Sequence, residues 1–131
     1  MSNGVTYYNP PKARELTSLY SHVARVKAGE LAFIAGQIAP QGGNFEAQFK
    51  ATMNQIGDIL EDLGTDFNAV AKFTTYVVGA ENVNMFRDVR DAVFPDLFEG
   101  PLYPPNTLLV VERLGDPAWL IEIEAVVRLP D

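Results

Sequence analysis

The chain has 131 residues, 47% of them hydrophobic, which is enough for a single domain, residues 1–131, with a real core and no linker or second unit. It has no cysteine and one histidine, which argues against disulfides, thiol chemistry and metal sites, so no cofactor is expected. A formal charge of −7 with ten dispersed basic residues opposes a nucleic-acid backbone. The opening residues Met1 to Tyr7 lack a signal-peptide pattern and no apolar run reaches membrane length, so the expected address is cytoplasmic, with no membrane partner.

In chain order, Tyr20 to Val26 and Leu31 to Ile38 read as β-prone runs, and Lys27-Ala28-Gly29-Glu30 between them reads as the turn of a hairpin. After the loop Gln41-Gly42-Gly43, apolar residues fall at Phe45, Phe49, Met53, Ile56, Leu60 and Leu63, the spacing of one helix face. Gly64 follows where a C-terminal glycine ends a helix. Val70 to Val78, rich in β-branched and aromatic residues, predicts a third strand. Asn82 to Leu97 predicts a second helix, with Phe86, Val89, Val93 and Leu97 on its apolar face. Pro101, Pro104 and Pro105 stiffen a connector. Two strands, Thr107 to Leu114 and Trp119 to Leu129, close the chain around Gly115-Asp116-Pro117.

The order β-β-α-β-α-β-β predicts an α/β sandwich with two helices on one face of a sheet. Neither face of the run Leu108 to Val111 is polar, so the face without helices needs a cover, and self-association is the economical one. Glu122 and Glu124 stand two apart on a strand and project from one face, while Ile121, Ile123 and Ala125 project from the other. Burial statistics alone make the two carboxylates ordinary surface charges. No Gly-x-Ser-x-Gly elbow, phosphate loop or dinucleotide fingerprint occurs.

Tyr103-Pro104-Pro105-Asn106-Thr107, Glu112-Arg113-Leu114 and Ile121-Glu122-Ile123-Glu124-Ala125, with Ala35-Gly36-Gln37-Ile38 upstream, resemble the RidA/YjgF family of small enamine/imine deaminases in order and spacing, from about Leu16 onward. The resemblance implies a chorismate-mutase-like α+β sandwich, assembled as a homotrimer with small-molecule clefts between subunits. It implies that Glu122 is the catalytic group that positions water and that Tyr20 lines the pocket. Three positions depart from the family pattern. Its carboxylate-binding Arg falls on Asn106, its Ser on Ala35, and a frequently small residue on Leu108. Gly36 and Thr107 complete the expected substrate-binding set with these three and Tyr20.

A neutral Asn offers amide hydrogen bonds where Arg offers a charged bidentate fork, so the usual 2-imino acids should bind poorly unless another cation enters the cleft. Arg90 and Arg25 are the candidates for that cation, although surface arginines are usually just solvated. Asn106 also suits a turn after two prolines, and Tyr20 suits a strand, with no ligand at all. His22 reads as an exposed strand residue, and Glu124 as a partner for Arg113 or Arg128. Two functions remain open: hydrolysis of a small enamine, imine or related metabolite, and non-catalytic binding of a metabolite by the same trimer. A ribonuclease activity, ascribed to some family members, would need a basic cleft.

Overall fold

The structure is a computed structural model that describes residues 3–131; Met1 and Ser2, which opened the leader argument, lie outside the described residues. From the second strand onward the elements follow the predicted order: β2 (Val23–Val26), β3 (Leu31–Gln37), α1 (Phe45–Asp62), β4 (Val70–Val78), α2 (Asn82–Leu97), β5 (Asn106–Val111) and β6 (Ile121–Arg128). An additional strand, β1 (Val5–Tyr8), precedes them.

That strand corrects the expected hairpin. β2 pairs antiparallel with β1, Val5 opposite Val26 and Tyr8 opposite Val23, in a separate two-stranded ribbon. β3 belongs instead to a four-stranded sheet of order β3-β6-β4-β5. The turn between β2 and β3 is held from outside itself, because the Arg128 guanidinium donates to the carbonyls of Lys27 at 3.1 Å and Ala28 at 3.0 Å. Four residues of β1 were too few to carry a periodic signal. The predicted strand from Tyr20 starts late, at Val23, and His22 is a half-buried bend residue rather than a strand residue.

α1 begins where Asn44 caps it, its side chain accepting the Ala47 N–H at 2.8 Å. It ends at Leu63, and Gly64 adopts φ 77°, the left-handed geometry that the glycine permits. α2 carries the chain from β4 to β5, which lie parallel with Phe73 opposite Asn106, as a helical crossover allows. β6 then inserts antiparallel between β3 and β4. Both closing strands are shorter than expected, and in the loop between them Arg113 donates to the carbonyls of Leu114 at 2.9 Å and Gly115 at 3.0 Å.

The core lies between the helices and one sheet face. Ile121, Ile123, Ala125 and Val127 of β6 are buried there against Phe49 and Ile56 of α1. An aromatic cluster of Phe73, Phe94, Phe98 and Tyr103 fills the end near the proline connector, its ring centroids 4.9–6.2 Å apart. Gln48, fully buried, joins α1 to the segment before β6 by donating to the Gly43 and Ala118 carbonyls and accepting the Leu120 N–H. The opposite sheet face carries no helix. Phe33, 76% exposed, and Leu109, 41% exposed, project from it with Glu122, Glu124 and Tyr76. Among the described residues, no helix is long and apolar enough to cross a membrane.

Candidate functional site

Alternation along β6 puts Glu122 and Glu124 on the helix-free face because Ile121, Ile123 and Ala125 take the core. The flanking strands then set their neighbours. Tyr76 of β4 lies opposite Glu122, and Gly36 of β3 runs along the other side, where the β3–β6 register slips between Ile34 and Gln37. The carboxylate of Glu122 lies over Gly36 so closely that a β-carbon there would stand 1.9 Å from its Oε2. Only glycine leaves this place for it.

The Tyr76 hydroxyl donates to Glu124. That bond is the main reason the Tyr76 phenol is held above its ordinary pKa, with desolvation and the charges of Glu124 and Glu122 adding to it. Glu124 is thereby engaged by Tyr76, which corrects the expected ion pair: Arg113 donates to backbone carbonyls, and Arg128 to backbone carbonyls and to Asp131 at 2.9 Å. Glu122 accepts no hydrogen bond from the described residues, so both its oxygens are available to water or a ligand. A cavity of about 430 Å³ lies here, lined by Gly36, Tyr76, Val111, Arg113, Glu122 and Glu124 among others.

A second cavity, of about 450 Å³, lies beside α2 and is lined by Arg14, Tyr20, Arg87, Arg90, Asn106 and Leu108 with Thr17, Ser18 and Phe86. Asn106 opens β5, and its Oδ1 accepts the hydroxyl of buried Thr75 at 2.8 Å. Its Nδ2 donors therefore keep no partner among the described residues. Tyr20 accepts a hydrogen bond from Arg14 Nη2 at 2.9 Å, and the His22 ring donates from Nε2 to the Arg14 carbonyl at 2.7 Å. Arg90 is only 4% exposed and sits 5.4 Å from the centre of the Phe86 ring.

Within one chain the expected substrate-binding residues thus fall into two groups. Tyr20, Asn106 and Leu108 share the cavity beside α2, while Gly36 and Glu122 share the one on the helix-free face. Thr107 is exposed and in register with Thr74, which puts it on the Glu122 side of the sheet. Ala35 is exposed at the β3 irregularity, its carbonyl accepting from Gln37 Nε2 at 2.9 Å. Of the two candidate cations, Arg90 enters the cavity of Tyr20 and Asn106; Arg25 lines a different one with Thr6 and Lys27. Sequence reasoning missed Arg14 and Arg87. Arg87 stands three residues before Arg90 on a predicted helix, a spacing that signals a shared side, but Arg14 comes from a loop with no pattern to read. Among the described residues there is no group of three or more His, Asp or Glu side chains that could hold a metal ion.

This fold has counterparts among known proteins. The family model described as Endoribonuclease L-PSP matches residues 12–129. The RutC family protein slr0709 of Synechocystis is 31% identical over 113 residues, covering 80% of this chain and 83% of its own. A RutC family protein of Pyrococcus horikoshii, PH0854, is 34% identical over 108 residues, 77% of this chain and 81% of its own. Among solved structures, the Rid family protein YyfB of Yersinia pestis superposes with a TM-score of 0.82 at 26% identity, over 96% of this chain and 99% of its own. TdcF of E. coli, solved with bound serine, has the same fold, with a TM-score of 0.68 at 20% identity over 94% of this chain and 98% of its own.

The chain belongs to the Endoribonuclease L-PSP family, the RidA/YjgF family of the resemblance above. At family level this membership supports a small-molecule deaminase or endoribonuclease-like role.

Proposed function

We propose that this protein hydrolyses a small reactive enamine, imine or related metabolite in clefts between the subunits of a cytoplasmic homotrimer. The observation that carries the reading is the Glu122 carboxylate, held over Gly36 on an uncovered sheet face with no hydrogen bond of its own among the described residues. Tyr20 and Asn106 lie in the other cavity, so a complete site takes its two halves from neighbouring subunits. The exposed apolar residues that share a sheet face with Glu122, Phe33 and Leu109 among them, favour burial of that face against another copy.

The chemistry follows from a free carboxylate beside an electrophilic C=N carbon. With the imine nitrogen protonated, Glu122 accepts a proton as water oxygen attacks that carbon, giving a neutral carbinolamine, and then delivers that proton to the amine nitrogen so that it can leave as ammonia. The C–N bond then breaks, ammonia leaves, and the hydroxyl proton is lost as the carbonyl forms. An enamine enters the same sequence after protonation at carbon gives the protonated imine.

A second reading has its own support. Asn106 has no charge and Ala35 no hydroxyl, so the same trimer could bind a metabolite without turning it over; the serine bound to TdcF shows a small ligand on this fold in that protein. Glu122→Gln separates the two, because Gln keeps the shape of the side chain but does not accept a proton comparably. Hydrolysis predicts loss of turnover by about 10²–10⁴-fold, the usual worth of a positioned general base, with assembly and affinity retained. Turnover by the Gln variant equal to wild type at saturating substrate would end the catalytic assignment. A panel of imines and enamines with no rate above the uncatalysed one would favour the binder.

A further inference from the structure

We propose that the cavity beside α2 is an anion site that takes a small dianionic ligand, a phosphate monoester or a dicarboxylate. The inference deepens the proposed function by naming the charge class of its ligand, and it rests on that reading only in placing the ligand in this cleft. Its basis is the local charge. The whole chain carries 17 acidic residues against 10 basic ones, yet three arginines, Arg14, Arg87 and Arg90, line this cavity and no Asp or Glu of the same chain does.

Arg90 is the anchor. Arg90 is 4% exposed as a residue, so its guanidinium keeps little water, and an anion at the cavity would replace the hydration it has lost. Its own surroundings supply little. Nε reaches Asp91 Oδ1 at 3.3 Å, but that carboxylate is 56% exposed, and the two terminal nitrogens donate to no described residue. The Phe86 ring at 5.4 Å favours the cation without satisfying its N–H groups.

The other groups are donors as well. Thr75 fixes the Asn106 amide through Oδ1 and so leaves its NH₂ for a ligand. Arg14 donates to the Tyr20 oxygen, which leaves the phenol proton free to be donated onward. His22 holds the Arg14 backbone in place, so this loop residue is positioned despite its exposure. Three guanidiniums, an amide and a phenol exceed what one carboxylate can accept, whereas a dianion with three or four oxygens matches them. At about 450 Å³ the cavity admits a small molecule. The overall negative charge disfavours an RNA track leading away from it.

Calorimetric titration of the intact protein at low ionic strength tests this with inorganic phosphate, succinate and acetate. Phosphate or succinate, whichever source the site suits, is expected to bind at one per chain and at least tenfold more tightly than acetate. Arg87→Ala and Arg14→Ala, both at exposed positions, should each weaken the dianion by about tenfold, as should Arg90→Lys if it folds. Arg25→Ala, which lines a different cavity, should leave binding unchanged. The proposal is overturned by no dianion binding, by acetate binding equally well, or by a dianion affinity indifferent to Arg14 and Arg87. A single-stranded RNA that binds more tightly than phosphate and displaces it would also overturn it. Binding is read without turnover, so dianion binding that survives a failed hydrolysis assay refutes only the proposed function, and Glu122-dependent hydrolysis without dianion binding refutes only the anion site.

Discussion

Glu122 and Gly36 form one unit although they stand on different strands. The sequence showed a carboxylate alternating with Ile121 and Ile123, and a glycine ahead of Gln37, but the contact between them depends on the register slip between β3 and β6. A slip of that kind leaves no mark in a single sequence. It makes Gly36→Ala a test of carboxylate placement: the new β-carbon would lie 1.9 Å from Oε2 and 2.7 Å from Cγ, so the Glu122 side chain must swing away. The end of a long side chain moves at small cost, so we expect the urea midpoint to shift little. Turnover should fall roughly as far as in Glu122→Gln, by about 10²-fold or more. Full activity in Gly36→Ala, measured on the same substrate, would show that the position of the carboxylate over Gly36 is irrelevant to catalysis. Arg90 was legible in a different sense: the sequence allowed it as a cation for the cleft, while its burial and the company of Arg14 required the fold.

At the scale of elements, helices were read more accurately than strands. α1 and α2 fall where their 3.6-residue periodicities place them, and Gly64 stops α1 as a left-handed glycine does. Strand partners were less accessible, since β2 has four residues and nothing in them specifies whether β1 or β3 lies alongside. Gln48 was invisible for a related reason. It sits among the apolar residues of α1 as a polar side chain, and its role is to meet Gly43, Ala118 and Leu120, the last two some 70 residues away. Replacing it with Met keeps its length and removes three hydrogen bonds, leaving the Leu120 N–H without its partner in the interior. A buried unsatisfied group costs about 1–3 kcal/mol, so Gln48→Met should lose roughly 3 kcal/mol in urea unfolding. An unchanged midpoint would mean that the segment before β6 finds other partners.

For the whole molecule, the sheet poses a question that two helices answer on one side only. α1 and α2 cover the face that carries Ile121, Ile123, Phe73 and Val77, all at most 2% exposed. The other face holds Phe33 at 76% exposure on the edge strand β3, with Leu109 at 41% on the opposite edge. Two carboxylates and Tyr76 lie between them. A monomer would keep a large aromatic ring in water on the face of the proposed catalytic group. The trimer that we propose removes it from water and closes the cleft in the same step, so assembly and chemistry are coupled. Light scattering should therefore give about three times the 14.4 kDa chain mass at micromolar concentration. Phe33→Glu, which puts a charge into the buried interface, should return the mass to that of one chain and abolish turnover, while the far-ultraviolet circular dichroism stays native because Phe33 contributes nothing to the monomer core. If the wild type is a monomer, both the shared cleft and the pairing of Glu122 with a neighbour's Tyr20 and Asn106 fall. If Phe33→Glu remains a trimer with full activity, the subunits meet elsewhere, and the helix-free face needs a different cover.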